Sequence, residues 1–161
     1  MAQLLVPTPY ATISDALLAA TAGDTIVMAA GYGPETVTIS LNSITLTGPA
    51  SVQDVTVFLA AHVTDFALLG EASVNLFDMG GSETISGNAG DNRITLTGGI
   101  DHVDGGGGTD RLVVDYSASQ GVVTASSSVI DGDLGTVQIA ADTIEAFTIF
   151  TGAGADNLTF T

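Results

Sequence analysis

The chain has 161 residues, 45% of them hydrophobic and 12% charged, enough apolar material for one domain with a core and too much for a fully disordered chain. Its formal net charge is −16, from 18 acidic residues against two arginines and no lysine, which argues against nucleic acid and anionic membranes as partners and favours cations. The absence of cysteine excludes disulfides and thiolate metal sites.

The N-terminal stretch MAQLLVPTPYATISD has neither a basic segment nor a long apolar one, so a cleaved Sec signal is not expected. No apolar run approaches the ~20 residues of a membrane span. Residues 12–20, TISDALLAA, read as a short helix that Ser14 or Asp15 can cap, with Ile13, Ala16, Leu17 and Ala20 on one apolar face. Ala22, Gly23 and Asp24 end it. Short β-rich pieces then follow at 25–29, 35–39, 43–48, 54–60, 63–70 and 73–77, separated by Gly, Pro, Asn and Asp. Their regular spacing predicts an all-β architecture of many short strands. Threonines in these pieces reflect ordinary β-propensity.

Residues 78–113 decide between a sandwich and a solenoid. They divide into four consecutive nine-residue blocks, DMGGSETIS, GNAGDNRIT, LTGGIDHVD and GGGGTDRLV. Each block has glycine at its fourth place, Glu, Asn or Asp at its sixth, and an aliphatic residue at its eighth: Ile85, Ile94, Val103 and Leu112. A flexible linker would not keep an aliphatic residue at every eighth place. A further block, TGAGADNLT at 151–159, follows out of phase after an irregular stretch. Internal repetition predicts a solenoid, and the hairpin dipeptides that a sandwich needs are scarce.

In each block the glycines permit a tight turn in which carbonyls converge. The eighth residue points inward from a minimal strand. Two blocks make a coil of 18 residues, so turns that far apart stack. Stacking pairs Glu83 with Asp101 on one edge and Asn92 with Asp110 on the other. Stacked like charges call for a counter-charge. Carboxylate and carbonyl oxygens suit Ca²⁺, which takes about six to eight oxygen ligands, better than they suit the strict octahedron of Mg²⁺.

These blocks resemble the nonapeptides of repeats-in-toxin (RTX, hemolysin-type) proteins, G-G-x-G-x-D-x-U-x with U aliphatic, which build calcium-binding parallel β-rolls. GGGGTDRLV matches in full and GNAGDNRIT has Asn at places two and six. LTGGIDHVD departs at its first two places, and DMGGSETIS departs most. The resemblance implies two calcium sites. One would take the carbonyls of Met79, Gly81, Leu96 and Gly98 with the carboxylates of Glu83 and Asp101. The other would take the carbonyls of Asn88, Gly90, Gly105 and Gly107 with the side chains of Asn92 and Asp110. Glu83 and Asn92 stand where the family pattern has Asp, which bears on the affinity of both sites.

Residues 114–150 resemble the spacer that such proteins place between two repeat arrays, with Ile144 and Glu145 ahead of the next repeat. Asp156 is the sixth residue of that repeat and a further metal candidate, expected to lack a stacking partner. Ending one repeat into an array, the chain reads as a truncated part of a longer protein. At the other end, residues 10–48 are similar to the opening of right-handed parallel β-helices of the pectate-lyase type. That similarity implies a helix capping the first coil and a structural role for Glu35.

The expected fold is all-β: a right-handed parallel β-helix/β-roll solenoid with a short N-terminal capping helix. It would comprise a helix-capped β-helix at 1–77, a calcium-binding β-roll at 78–113, and spacer coils ending in one further repeat at 114–161. The resemblance implies a calcium-binding structural module of a secreted bacterial protein, with an adhesive, surface-layer or toxin- or enzyme-accessory role. Such a module would pass a type I secretion channel unfolded and be stabilised by Ca²⁺ outside the cell. The alternative is part of a carbohydrate-active β-helix enzyme, a polysaccharide lyase or uronate epimerase acting on acidic polysaccharide. That alternative has few residues to work with. Arg93 and Arg111 are the only basic candidates, and both occupy seventh places of repeats. Acid pairs arise in any acidic solenoid, and His62 and His102 form no metal motif, His102 being expected on a solvated face. No catalytic residue is assigned. Calcium ions are the expected partners, with polysaccharide or cell-surface contact and end-to-end self-association at the C-terminal coil in second place. Neither nucleic acid nor membrane insertion is expected.

Overall fold

A computed structural model of the chain describes residues 1–160. Its elements, in order, are β1 (Gln3–Val6), α1 (Ile13–Ala19), β2 (Thr25–Met28), β3 (Glu35–Ile39), β4 (Ile44–Gly48), β5 (Val55–Leu59), β6 (Asp65–Gly70) and β7 (Val74–Asp78). β8 (Thr84–Asn88), β9 (Arg93–Leu96), β10 (Gly99–Gly106) and β11 (Arg111–Asp115) cover the repeats. β12 (Thr124–Ala125), β13 (Val129–Gly132), β14 (Gly135–Ile139), β15 (Ala146–Phe150) and β16 (Asn157–Leu158) complete the chain. The strands form two sheets, one ordered β1-β2-β4-β6-β8-β10-β14-β13-β12-β16 and the other β15-β11-β9-β7-β5-β3. From β2 to β11 successive strands thus alternate between two walls and stack in parallel, which is a β-solenoid of about six turns.

The pitch in sequence varies in the N-terminal coils, with 22 residues from Gln3 to Thr25 and from Ile44 to Phe66, and settles in the repeats. Thr25 pairs with Thr45 and Glu35 with Val55, a coil of 20 residues. Val55 pairs with Val74 and Asp65 with Thr84, a coil of 19. Within the repeats Thr84 pairs with His102 and Arg93 with Arg111, the 18-residue coil that two nine-residue blocks predict. Both sheets run without a break from the N-terminal coils into the repeats.

Alternation along the short strands fills the interior with columns of aliphatic side chains. Phe66, Ile85, Val103 and Ile139 stack on one wall, and Val57, Leu76, Ile94 and Leu112 on the other. All but Ile139 are at most 2% exposed, so the eighth place of each of the four consecutive repeats faces the core, whereas Leu158, the eighth place of the separate block at 151–159, is exposed.

The first open end is covered by α1, which buries Ile13 and Ala16. Its N-cap is Thr12 rather than Ser14 or Asp15: the Thr12 hydroxyl accepts from Asp15 N at 2.9 Å, so the helix starts ahead of the capping residues the sequence suggests, which lie in its first turn. Glu35 closes the same end. Its carboxylate accepts from Ile13 N at 2.9 Å, Ser14 N at 3.0 Å and Ser14 Oγ at 2.8 Å, and from the Tyr32 hydroxyl. Burial alone would push this carboxyl up, but these hydrogen bonds hold it below its usual range. Glu35 is therefore structural, tying the cap to the next coil.

Among the described residues the one departure from parallel stacking lies beyond β11. β12, β13 and β14 form an antiparallel excursion before β14 rejoins β10 and β15 rejoins β11. Among the described residues no helix is long and apolar enough to cross a membrane.

Candidate metal centre

The sixth residue of each of the four consecutive repeats is buried where a coil turns a corner between the two sheets. Glu83, Asn92, Asp101 and Asp110 are all at most 3% exposed. Each one from Asn92 onward reaches back one coil and caps a main-chain N–H. Asp101 Oδ1 accepts from Glu83 N at 3.0 Å, Asp110 Oδ1 from Asn92 N at 2.8 Å, and Asn92 Oδ1 from Val74 N at 3.2 Å. The predicted stacking of Glu83 over Asp101 and of Asn92 over Asp110 is thus a ladder of side chain to backbone hydrogen bonds. Its cause is the 18-residue register, which sets the same place of each turn above itself.

The two edges differ in what the ladder leaves over. On the first edge, both Glu83 oxygens and Asp101 Oδ2 are buried and have no hydrogen-bond partner among the described residues. Burial pushes the Glu83 carboxyl well up, with the adjacent Asp101 carboxyl and the charge of Asp78 adding to it. Burial raises the Asp101 carboxyl as well, opposed by the hydrogen bonds from Glu83. Two unpaired buried carboxylates cannot both keep their charge at low energy: they take up a proton or bind a cation.

Glycine at the fourth place makes room for this. A side chain at Gly81 would place its Cβ 1.8 Å from Glu83 Oε1 and 2.9 Å from the Ala61 carbonyl oxygen. The Glu83 carboxyl therefore folds directly over the Gly81 main chain, beside a carbonyl of the preceding coil. Gly81 is itself held by Asp78, whose Oδ1 accepts from Gly80 N at 2.6 Å and Gly81 N at 3.1 Å. Asp78 Oδ2 accepts from Thr97 N at 3.3 Å, which links the two stacked turns. Behind them Tyr116 is fully buried with its hydroxyl unpartnered among the described residues. Burial, then the charges of Asp101, Asp131 and Asp78, push that phenol up to about 12.

On the second edge Asn92 satisfies its own turn. Its Nδ2 donates to Gly90 O at 2.6 Å and to Asn88 Oδ1 at 2.8 Å. The Asn88 carbonyl accepts from Gly107 N at 2.6 Å. Two of the carbonyls that the resemblance assigns to a metal are thus engaged by protein donors. Asp110 Oδ2 is left buried and unpartnered among the described residues. Burial pushes the Asp110 carboxyl up to about 6, the hydrogen bonds from Asn92 oppose that, and the charges of Glu145 and Asp91 add to it.

The remaining sequence candidates are spread around these edges. Met79 is an exposed residue of the turn after β7, Leu96 ends β9 with its side chain in the core, and Gly98 lies in the link to β10. Gly105 lies in β10, packed against the Thr143 carbonyl and Asp110 Oδ2. Asp156 extends the same ladder: its Oδ1 accepts from Val123 N at 2.9 Å, but the residue it stacks under is Val123, with no carboxylate opposite. Three participants carry no metal assignment from the repeat pattern. Asp78 and Ala61 lie outside the sixth places, and Glu145 is in the spacer. His62 sits in an exposed turn against Ser40 O, and His102 is exposed on β10. Arg93 lies over the Phe77 ring at 5.9 Å, and Arg111 Nη2 donates to Thr148 Oγ1 at 2.8 Å.

Among the described residues no three His, Cys, Asp or Glu side chains group as a metal site. A cation at Glu83 and Asp101 would therefore draw its other ligands from main-chain carbonyls, the oxygen-rich set that a hard cation takes. Comparison with family models, with curated proteins and with solved structures gives no match in any of the three.

Proposed function

We propose that this protein is a calcium-stabilised structural module, in which Ca²⁺ seated between Glu83 and Asp101 completes the fold. One observation carries the reading: three carboxylate oxygens of two stacked residues are buried together without a donor. A divalent cation neutralises both charges at once and turns a buried liability into a cross-coil tie. The −16 charge works in the same direction, since an ion bound only by the folded chain stabilises it by mass action. The repeat resemblance supports the remainder: export by a type I channel as a loosened chain, and folding outside the cell where calcium is abundant. There the solenoid serves as an adhesive, surface-layer or accessory part of a secreted bacterial protein. Thermal melts in excess EGTA and in millimolar Ca²⁺ test the reading. Calcium is expected to raise the melting temperature markedly, and coincident melts would sink it.

A further inference from the structure

We infer that the second edge holds its cation between Asp110 and Glu145, one coil beyond the pair that the repeat pattern selects. The inference rests on the calcium reading above and moves one of its sites. Glu145 stands to Asp110 as Asp101 stands to Glu83. In each case a carboxylate oxygen of the later residue accepts the main-chain N–H of the earlier one: Glu145 Oε2 from Asp110 N at 2.6 Å, Asp101 Oδ1 from Glu83 N at 3.0 Å. In each case the earlier residue keeps a buried oxygen without a donor. Each edge thus carries one Asp–Glu pair, in opposite order.

The level above is closed. Asn92 places an NH₂ group between Asn88 Oδ1 and Gly90 O, where it donates to both. A donor that faces two oxygens occupies the position a cation would need and offers it no charge. The level below Asp101 is closed in another way, because Val137 pairs with Asp101 there. Among the described residues Asp110 is the sixth-place residue that pairs onward with a further carboxylate beyond the repeats. Asp110 is 1% exposed, so its free oxygen has no access to bulk water as a partner.

A second donorless oxygen lies beside it. The Cβ position of Gly105 is 2.0 Å from Thr143 O and 2.8 Å from Asp110 Oδ2, so both oxygens flank a point where no side chain fits. Among the described residues no main-chain N–H donates to Thr143 O. Two donorless oxygens, Asp110 Oδ2 and Thr143 O, lie together here beside the exposed Glu145 carboxylate, one oxygen of which accepts from Asp110 N; carboxylate and carbonyl oxygens are the donor set of a hard divalent cation. The consequence is mechanical. Asp110 belongs to the repeats, while Thr143 and Glu145 belong to the coil that returns from the β12–β14 excursion. A bound ion would fasten that coil, with β14 and β15, to the repeat block.

Calcium titration calorimetry of the full chain and four variants tests this. Wild type is expected to bind two ions. Glu145→Gln keeps the hydrogen bond to Asp110 N and is expected to bind one, as is Asp110→Asn. Asn92→Ala is expected to bind two, and Glu83→Gln one. In wild type, Ca²⁺ should slow amide hydrogen exchange in β14 and β15, and in Glu145→Gln that slowing should be lost. Wild-type stoichiometry in both Glu145→Gln and Asp110→Asn would overturn the inference, as would loss of one ion in Asn92→Ala alone. A single wild-type ion, lost in Glu83→Gln and kept in Glu145→Gln, would overturn it and leave the first site standing. No binding at all would overturn both.

Discussion

Asp101 Oδ1 accepts the main-chain N–H of Glu83 at 3.0 Å, while Asp101 Oδ2 and both Glu83 oxygens lie buried without a donor. The parallel ladder holds the two backbones one strand spacing apart, ~4.8 Å, so the carboxyls cannot part without breaking it. Charge on this pair and closure of the coil are therefore one problem. Replacing Glu83 by Gln keeps the shape and removes one charge. In EGTA the variant is expected to be the more stable by about 1–3 kcal/mol, the cost of leaving buried polar groups unpaired. For a chain of this size that is a rise of ~2–4 °C per kcal/mol. In Ca²⁺ it should gain far less than wild type. Paired thermal melts check both halves, and a variant that melts below wild type in EGTA would show that the pair carries no strain.

The same burial gives a pH dependence whose sign can be worked out. Glu83 is pushed up from an ordinary 4.5 to about 9, and Asp110 from 3.8 to about 6. A carboxyl whose folded value is raised holds its proton more tightly in the folded chain. Its stabilising contribution is full below the unfolded value and is lost as pH rises through the folded one. Glu35 and Asp24, held low by hydrogen bonds, act oppositely, but only at pH below about 5, where the unfolded carboxyls take up protons. In EGTA the melting temperature is therefore expected to fall between pH ~5 and ~9. Calcium should flatten that fall by taking the place of the proton, and its binding should release protons into the buffer. Titration calorimetry in two buffers of different ionisation enthalpy reads that release. A melting temperature in EGTA that rises with pH across this range would contradict the assignment.

The fold was legible because its period is. An aliphatic residue at each eighth place, Ile85 to Leu112, needs an inward position at each nine-residue step, and two such steps close a coil on itself. Strand after strand before the repeats was readable for the same reason, as short β-branched runs between turn residues. What the period could not express was chemistry that crosses it. Glu145 lies 35 residues after Asp110, not 18, because the β12–β14 excursion intervenes, yet it lands at the same corner. Asp78 sits at a first place and works through its hydrogen bonds to the turn. Asn92 reads as a weak ligand in sequence, whereas its NH₂ group closes its own turn. β1 escaped notice because Gln3–Val6 alone has no repeat to mark it and gains its strand from pairing with β2.

The helix cap offers a change that should act on stability alone. Glu35→Ala removes acceptors from Ile13 N, Ser14 N and the Tyr32 hydroxyl, all at the far end from the acid pairs. The N-cap Thr12 stays, and Ile13 N keeps the Tyr32 hydroxyl as an acceptor at 2.9 Å, so losing the remaining hydrogen bonds is expected to cost about 1–2 kcal/mol. The rise in melting temperature on adding Ca²⁺ should be the same as in wild type, because no cation candidate touches this end. Melts in EGTA and Ca²⁺ measure both terms, and a reduced calcium shift would mean that the cap and the acid corners are coupled through the stack.

Two glycines of the repeats separate close approach from mere turn composition. At Gly81 an added Cβ meets Glu83 Oε1 at 1.8 Å and the Ala61 carbonyl at 2.9 Å. The side chain can swing away, but only by leaving the corner it shares with Asp101, and the carbonyl cannot move without shifting the previous coil. At Gly107 an added Cβ meets nothing closer than Ala89 Cα at 3.9 Å. Gly81→Ala is therefore expected to lower stability in Ca²⁺ by about 1–3 kcal/mol, in the range of overpacked sites, and to weaken calcium binding. Gly107→Ala should change stability by no more than about 0.5 kcal/mol, as exposed substitutions do, and leave calcium binding alone. Calcium titrations and melts of the two variants side by side make the comparison. Equal behaviour of the two would mean that Gly81 serves the turn and not the carboxyl folded over it.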